Sequence, residues 1–484
     1  MTFTLHLPVL SKRLWMVVAC VAALAAPAYA GFDPFGTESL TSAARNSARG
    51  AASLPCGRAP AADAELTLAA AIDYALCNNP QTQRAWANAK AQAAQVGQAK
   101  ANYLPTITAT AQNQREKNTT TVDAAPELNN DVNSRLRSVR VDLNMVLFDF
   151  GARSANLENA RQLLNAANAA HDATLQAISI DAAQAFYDAQ SARSQVEAIR
   201  SAKTLADQSF KAAEARFKIG LGSGVEKLQA ETASAQERLK LLKAEGALQV
   251  ALGNLATVMG FAANTPLRLE GSDDKRMPDV AFVKSVATLM EDAKQKHPNL
   301  VAARAQLYAA QASEGYAKAQ YFPTISFNAS NSRATQPSSQ LGLPPLTTQS
   351  RGMQFGVQLN FPLFDGFGRM YRARQAHAQT EMREADVAEL EQQVALGVWK
   401  TYQALQTATV ELKVAEQYRE SAARTVEAAQ ARYTLGATQV LELLNAQATL
   451  ANAETQKIQA LAEWRTSRLR LAFNLGILGT WTLR

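Results

Sequence analysis

The sequence predicts a mainly α-helical protein with a membrane β-barrel, built from two duplicated halves. Three patterns carry this prediction: an internal repeat, four segments that alternate between apolar and polar residues, and two very long helical stretches. Each half is expected to contain a helix, two strands and two further helices. The repeat sets the architecture, so it takes precedence over any domain count based on length alone.

Composition limits the class of protein. The chain has 484 residues, of which 47% are hydrophobic, 7% aromatic and 19% charged, and its mean hydropathy is −0.18. These values exclude a polytopic helical membrane protein, a disordered chain and a collagen-like fibre. The net charge of +7 is modest for this length, and no nucleic-acid partner is expected.

The N-terminus has the pattern of a secretory signal. Lys12 and Arg13 precede an apolar run over 14–26, and small residues surround Tyr29. We expect a signal peptide over 1–30, cleaved after Ala30, followed by an N-terminal extension over 31–65. The alternative is a lipoprotein box that ends at Cys20.

Two cysteines remain after such a cleavage, Cys56 and Cys77. In an oxidising periplasm they could form a disulfide that closes a short loop. The alternative is that both are unpaired small residues, and the sequence leaves the two open.

The repeat divides the rest of the chain into a first half over 66–265, a linker over 266–281 and a second half over 282–484. Residues 103–107, Tyr-Leu-Pro-Thr-Ile, recur at 321–325 as Tyr-Phe-Pro-Thr-Ile. Leu-Phe-Asp occurs at 147–149 and again at 363–365, and Gly220 matches Gly436. The offset falls from 218 to 216 between the first and second motifs, so the second half has lost two residues there.

Strands are predicted at about 103–114, 138–148, 321–331 and 353–363. In the last of these, Met353, Phe355 and Val357 alternate with polar residues or glycine. Such segments suit strands that cross an outer membrane, although a soluble sandwich gives the same alternation. Four strands cannot close a barrel, and an open sheet edge cannot face lipid; three chains would supply twelve. Aromatic residues cluster at the predicted strand ends nearer the helices, and polar loops are expected over 115–138 and 332–352.

Long helices are predicted over about 152–218 and 369–434. The first contains no proline and no internal glycine and would extend about 100 Å, a length that suits an antiparallel coiled-coil tube. A helix is also expected before each strand pair, over 66–102 and 282–320. Residues 246–263 carry no charge, but the repeat partner 462–479 carries four, so no membrane helix is predicted there.

These duplicated motifs, with Ala215–Gly220 and Ala431–Gly436, resemble those of the TolC family of outer-membrane channel proteins. The resemblance covers about 66–476. It implies a homotrimer in which a twelve-stranded barrel in the outer-membrane lipid continues into a twelve-helix periplasmic tunnel. It also implies two kinds of partner, a periplasmic adaptor protein and an inner-membrane ABC or RND transporter.

The resemblance assigns roles to the helix turns at the periplasmic entrance. The residues expected to meet the adaptor are Ile219, Gly220, Leu221, Leu435, Gly436 and Ala437. The residues expected at the constriction and gate are Glu226, Tyr433, Thr438, Glu442 and Asn445. Three copies of Glu442 on a threefold axis would repel one another and concentrate cations.

At the remaining gate positions this sequence follows the family pattern only in part. Asn445 stands where the family has a second acid. Tyr433 is expected to donate a hydrogen bond to Glu226, whereas Thr438 and Val225 replace a gating arginine and its partner. The plainer interpretation is that Glu226 and Glu442 are acids at solvated helix starts, where the helix dipole favours them.

No catalytic constellation is apparent, and no cofactor or metal is expected. The four histidines are scattered and have no zinc-ligand spacing, and no phosphate-binding loop or nucleophile elbow occurs. We therefore predict a passive trimeric exit channel, for type I secretion of a protein substrate. The alternatives are multidrug efflux and a trimeric coiled-coil surface adhesin, although an adhesin would place its barrel at the C-terminus.

Overall fold

The computed structural model describes residues 33–41, 65–271, 285–338 and 346–476. The predicted signal peptide and Cys56 therefore lie outside the described residues. The helices are α1 (Leu68–Asn78), α2 (Pro80–Ala101), α3 (Ala152–Lys218), α4 (Gly224–Val258), α5 (Val286–Lys296), α6 (Pro298–Ala319), α7 (Gly368–Thr434) and α8 (Val440–Asn474). The strands are β1 (Glu65–Leu66), β2 (Thr106–Thr120), β3 (Asn130–Phe148), β4 (Arg268–Leu269), β5 (Thr324–Ser338) and β6 (Leu346–Asn360).

The two halves have the same helical plan. Helices α3 and α7 each contain 67 residues and extend about 100 Å. Helices α4 and α8, with 35 residues each, return beside them. Helix α3 packs along α2, α4, α6 and α8, while α7 packs along α6 and α8, so the two halves form one bundle.

The helix predicted before each strand pair is wrong in one respect, because the structure has two helices there. Asn79 and His297 interrupt the helical path with ψ of 127° and 123°, and a proline follows each of them. A residue before proline is forced out of the α region. The Asn79 side chain then caps the second helix by accepting a hydrogen bond from Gln81 N at 2.9 Å.

A four-stranded antiparallel sheet with the order β2–β3–β5–β6 lies beyond one end of the long helices. Its strands are longer than predicted and extend well into the expected loops 115–138 and 332–352. Alternation stops there because both faces carry polar residues, yet the antiparallel pairing continues from Arg115 to Thr120. Among the described strands, β2 and β6 each have one edge that pairs with no other strand.

The register of the sheet separates an apolar face from a polar one. Ile107 lies opposite Leu143, Leu143 opposite Ala329, and Ala329 opposite Phe355, which gives an apolar row across all four strands. On the other face, Asn328 and Asn144 are hydrogen-bonded through their side chains at 2.6 Å. The apolar face is exposed in the single chain; Phe355 is 71% exposed.

Equivalent residues of the two halves form the helical core where the short helices meet the long ones. Leu255 and Met259 are fully buried in one cluster, and Leu471 and Leu475, at an offset of 216, are buried in another. Many other buried positions are alanines, and such small side chains let neighbouring helices approach closely. Within the described ranges, no helix is both long and apolar enough to span a membrane.

Candidate functional site

The two helix turns lie at the end of the bundle opposite the sheet, and they have the same backbone geometry. Gly220 and Gly436 take φ of 76° and 75°, a region that suits glycine. Leu221 N donates to Arg216 O at 2.9 Å, and Ala437 N donates to Arg432 O at the same distance. Gly220 N also donates to Phe217 O, and Gly436 N to Tyr433 O. These bonds form a Schellman motif, so the two long helices end at the two glycines that are equivalent in the repeat.

Aliphatic side chains project from both turns into solvent. Ile219 is 69% exposed, Leu221 70% and Leu435 84%, and Gly220, Gly436 and Ala437 are exposed beside them. All six residues predicted to meet an adaptor therefore lie at an accessible surface. Exposed apolar groups concentrated at a turn are typical of an interaction site.

Behind the turns, a small apolar cluster joins the two hairpins of the chain. Its buried members are Ala213, Ala230, Ala429, Tyr433, Val440, Leu443 and Ala446. Tyr433 is 4% exposed, and burial raises the pKa of its hydroxyl. The hairpins are therefore packed together within one chain.

Arg216 connects the first hairpin to the second. Its guanidinium lies 5.1 Å from the centre of the Tyr433 ring, and its Nη1 donates to Tyr433 O at 3.1 Å. The ring face attracts the cation, and the carbonyl at the end of α7 carries the negative end of the helix dipole. The sequence alone predicts no role for Arg216.

The predicted hydrogen bond between Tyr433 and Glu226 is not formed in the single chain, and it stays a prediction. The Tyr433 hydroxyl is buried and has no hydrogen-bond partner among the described residues. Glu226 instead forms a capping box with Ser223: its carboxylate accepts from Ser223 N at 3.2 Å, and Glu226 N donates to Ser223 Oγ at 3.1 Å. The carboxylate is engaged by its own helix start.

Glu442 lies in the first turn of α8 and is not an unpaired acid. Arg432 Nη1 lies 2.9 Å from its Oε1, and the Thr438 hydroxyl hydrogen-bonds to its Oε2. The Arg432 and Glu442 side chains are 57% and 47% exposed. Asn445, one turn further along α8, is exposed, so the position of a possible second acid carries no charge.

The repeat, with its offset of 216, makes Glu226 equivalent to Glu442 and Arg216 equivalent to Arg432. The contacts of the equivalent residues nevertheless differ. Gly222 stands where the second half has Thr438, and Ser223 replaces Gln439. The first half therefore forms a capping box, and the second half an ion pair across its turn. The Ala-Arg-aromatic motif signals both arginines, but not their different partners.

A duplicated ion pair joins the sheet to the helices. Arg153 Nε lies 2.9 Å from Asp149 Oδ2, and Arg369 Nε lies 3.3 Å from Asp365 Oδ2. Arg153 also donates from Nη1 to Val146 O at 2.7 Å. Both aspartates accept from the backbone N of their arginine partners. The repeated i,i+4 spacing of Asp and Arg is a signal of this pair in the sequence.

One predicted disulfide cysteine is described. Cys77 is disulfide-bonded, and its partner lies outside the described residues, as Cys56 does. The Cys56–Cys77 pairing therefore stays a prediction. Among the described residues, no group of three His, Cys, Asp or Glu side chains is placed to hold a metal ion.

Comparison with known sequences assigns the family. The profile described as outer membrane efflux protein matches residues 71–261 and 289–477. The chain belongs to this family. Each match covers one half, so both copies of the repeat are recognised separately. Membership places the protein in the outer membrane, with its helices extending into the periplasm.

Individual relatives support the same assignment. Protein CyaE of Bordetella pertussis is 32% identical over 435 residues, which cover 90% of this chain and 89% of that protein. Outer membrane protein TolC of Vibrio cholerae is 23% identical and covers 85% and 91% of the two chains. Alkaline protease secretion protein AprF of Pseudomonas aeruginosa is 23% identical, with 70% and 69% covered.

Solved structures confirm the fold. The outer-membrane channel OprN superposes with a TM-score of 0.73 at 20% identity, and the match covers 86% of this chain and 90% of that one. CusC gives a TM-score of 0.72 at 20% identity, with 85% and 92% covered. The predicted helical fold with a strand pair in each half is confirmed.

Proposed function

We propose that this protein is the outer-membrane exit channel of a tripartite export machine, and that it passes a secreted protein as its substrate. The observation that carries the proposal is the one-sided sheet at one end of the helical bundle. Among the described residues, its apolar face is exposed on the outer strands β2 and β6 and largely half-buried on β3 and β5, and β2 and β6 have unpaired edges. The apolar face is favourable against lipid but not in water, and the unpaired edges are not stable in lipid unless other copies close them.

Three copies would close these edges into a twelve-stranded barrel, and the polar face would line the passage. The row formed by Asn144, Asn328 and Gln358, whose side chains are linked by hydrogen bonds of 2.6 and 3.2 Å, supports a hydrated interior. The long helices of three chains would continue the passage as a tunnel of about 100 Å.

The exposed turns are the proposed contacts with a periplasmic adaptor. Ile219, Leu221 and Leu435 offer three aliphatic side chains per chain, and three chains would present nine around the entrance. Energy would come from an inner-membrane ABC or RND transporter, since a passive channel has no catalytic site of its own.

Secretion of a protein is favoured over drug efflux by one relative. AprF of Pseudomonas aeruginosa is named for secretion of alkaline protease. Efflux is the second candidate, because the family description names it and the relative TtgC of Pseudomonas putida is named a probable efflux pump outer membrane protein.

Deletion of the gene in its host tests the proposal. We expect the deletion strain to lose one or more proteins from the culture medium and to keep its resistance to drugs. Normal secretion with increased drug sensitivity would favour efflux. No change in either property would contradict the proposal. Complementation with the intact gene controls for effects on neighbouring genes.

A further inference from the structure

One face of the sheet carries a row of basic side chains just beyond its apolar band. The register places six cations on the same face as Ile107, Leu143 and Phe355, towards the hairpin ends of the strands. We call them the basic belt: Arg115, Lys117, Arg135, Arg137, Arg333 and Arg351. All six have odd numbers, as do Ile107, Leu143 and Phe355, and the register places these odd-numbered residues on one face. We call this the outward face, because it is the face that would contact lipid.

The belt contains two pairs of like charges in direct opposition. Arg115 lies opposite Arg135, and Arg333 lies opposite Arg351. Directly opposed residues of antiparallel strands have Cβ atoms about 5 Å apart, and like charges at this separation are destabilising. An anion between or beside such a pair would offset this repulsion.

The described residues of the sheet supply almost no such anion. Among the described strand residues, Asp131 is the one acid on this face beyond the apolar band, and its carboxylate accepts a hydrogen bond from Thr119. Arg135 Nε donates to the Asn113 side chain at 3.3 Å. No described side chain forms a salt bridge with any member of the belt. By contrast, Arg140 on the opposite face pairs with Asp142 at 2.7 Å.

The arginines closest to the two borders of the apolar band differ in their acidic partners. At the helix end, Arg153 and Arg369 are paired with aspartates. At the hairpin end, Arg137 and Arg351 are the next outward positions beyond Val139 and Met353, so the belt begins where the apolar residues stop. With the helices in the periplasm, this border faces the outer leaflet.

We infer that the basic belt binds the phosphate groups of anionic lipid headgroups in the outer leaflet, with three copies of the belt encircling the barrel. Guanidinium groups bind phosphate oxygens through paired hydrogen bonds, and an anion between Arg115 and Arg135 would remove their repulsion. Basic residues at a membrane surface are attracted to anionic lipid in this way. The inference rests on the proposed membrane placement of the sheet.

The test compares two variants of the full-length protein, purified in a zwitterionic detergent. R115Q/R135Q/R333Q/R351Q removes both opposed pairs, and R115K/R135K/R333K/R351K keeps their charge. R140Q is the control for an arginine on the opposite face. The probes are lipid A, which is a diphosphorylated glucosamine lipid, its dephosphorylated form, and inorganic phosphate. Bound probe is counted by native mass spectrometry.

The unaltered protein, R140Q and the lysine variant should bind lipid A, and the glutamine variant should bind it roughly 100-fold more weakly. Dephosphorylated lipid should bind poorly to every variant. If the glutamine variant binds lipid A as tightly as the unaltered protein does, the inference is overturned. If the unaltered protein binds inorganic phosphate as tightly as lipid A, the ligand of the belt is a free anion and the lipid inference is overturned as well. The proposed barrel is tested separately by crosslinking its strand edges, so the two can fail independently.

Discussion

Arg216 and Tyr433 join the two helical hairpins of one chain at the entrance. The guanidinium of Arg216 covers the Tyr433 ring and donates to the Tyr433 carbonyl oxygen. Any opening that moves the second hairpin away from the first must break both contacts. At this place the sequence predicts a contact of Tyr433 with Glu226, and the structure has Arg216 on Tyr433 instead.

Replacing Arg216 by glutamine should therefore loosen the closed entrance. A hydrogen bond from a charged group contributes about 1.5–3 kcal/mol, so the open probability in planar bilayers should rise roughly tenfold or more. The matched control is Lys218→Gln, which removes a cation two residues away that pairs with Glu214. An R216Q channel that opens no more often than K218Q would show that the contact does not hold the entrance closed.

Arg432 and Glu442 should together determine the ion preference of the constriction. An unpaired ring of Glu442 would favour cations, but the ion pair leaves the ring close to neutral. We expect R432Q to prefer cations, E442Q to prefer anions, and R432Q/E442Q to resemble the unaltered channel. Reversal potentials in a salt gradient measure these preferences, and a shift of about twofold or more in permeability ratio is expected for each single variant.

Arg424→Gln is the control for this series, because Arg424 is exposed on the same helix two turns before Arg432. It should leave the reversal potential unchanged. A different result would contradict the role of the ion pair. In that case the unaltered channel prefers cations, E442Q abolishes this preference, and R432Q does not increase it, so that Glu442 acts as an unpaired acid.

The Asp149–Arg153 pair should stabilise the junction between sheet and helices. Its side chains are 12% and 16% exposed, and Asp149 also accepts from the first turn of α3. Asp149→Ala should lower the free energy of unfolding by about 1–3 kcal/mol. Asp142→Ala, which breaks the more exposed pair with Arg140, should cost about 1 kcal/mol or less. Denaturant unfolding distinguishes the two, and equal effects would contradict the assignment.

Cys77 should be bonded to Cys56 in the mature protein. Labelling of the denatured, non-reduced protein should detect no free thiol, and the Cys77→Ser variant should gain one at Cys56. Two labelled cysteines in the unaltered protein would exclude the bridge.

The mature protein should begin at Gly31. Its intact mass should match a chain that starts there, whereas the mass of a chain that starts at a lipid-bearing Cys20 would support the alternative signal.

Much of the fold follows from local patterns in the sequence. Helix α3 could be predicted to its last residue because no proline or glycine interrupts it before Gly220. The sheet strands were predicted too short, because alternation marks only the part with one apolar face, whereas β2 continues through Arg115 with polar residues on both sides. The break at Asn79–Pro80 has a local signal that the alanine-rich periodicity outweighed.

The contacts of the entrance depend on how the helices are aligned with one another, and this a single sequence does not reveal. Arg216 and Arg432 occupy equivalent positions in the repeat. Only the packing of the first hairpin on the second decides that Arg216 reaches Tyr433. Arg432 pairs with Glu442 because a turn brings the end of α7 close to the start of α8. The spacing of the two residues in the sequence does not indicate this contact.

The central claim is that three copies close one barrel through the edges of β2 and β6. The most direct measurement is disulfide crosslinking of Ala109→Cys in β2 combined in turn with Met353→Cys, Phe355→Cys or Val357→Cys in β6, in native outer membranes. We predict that at least one combination yields a covalent trimer on a non-reducing gel, while each single variant does not. Crosslinking of all combinations that stops at dimers, or none at all, would contradict the trimeric barrel.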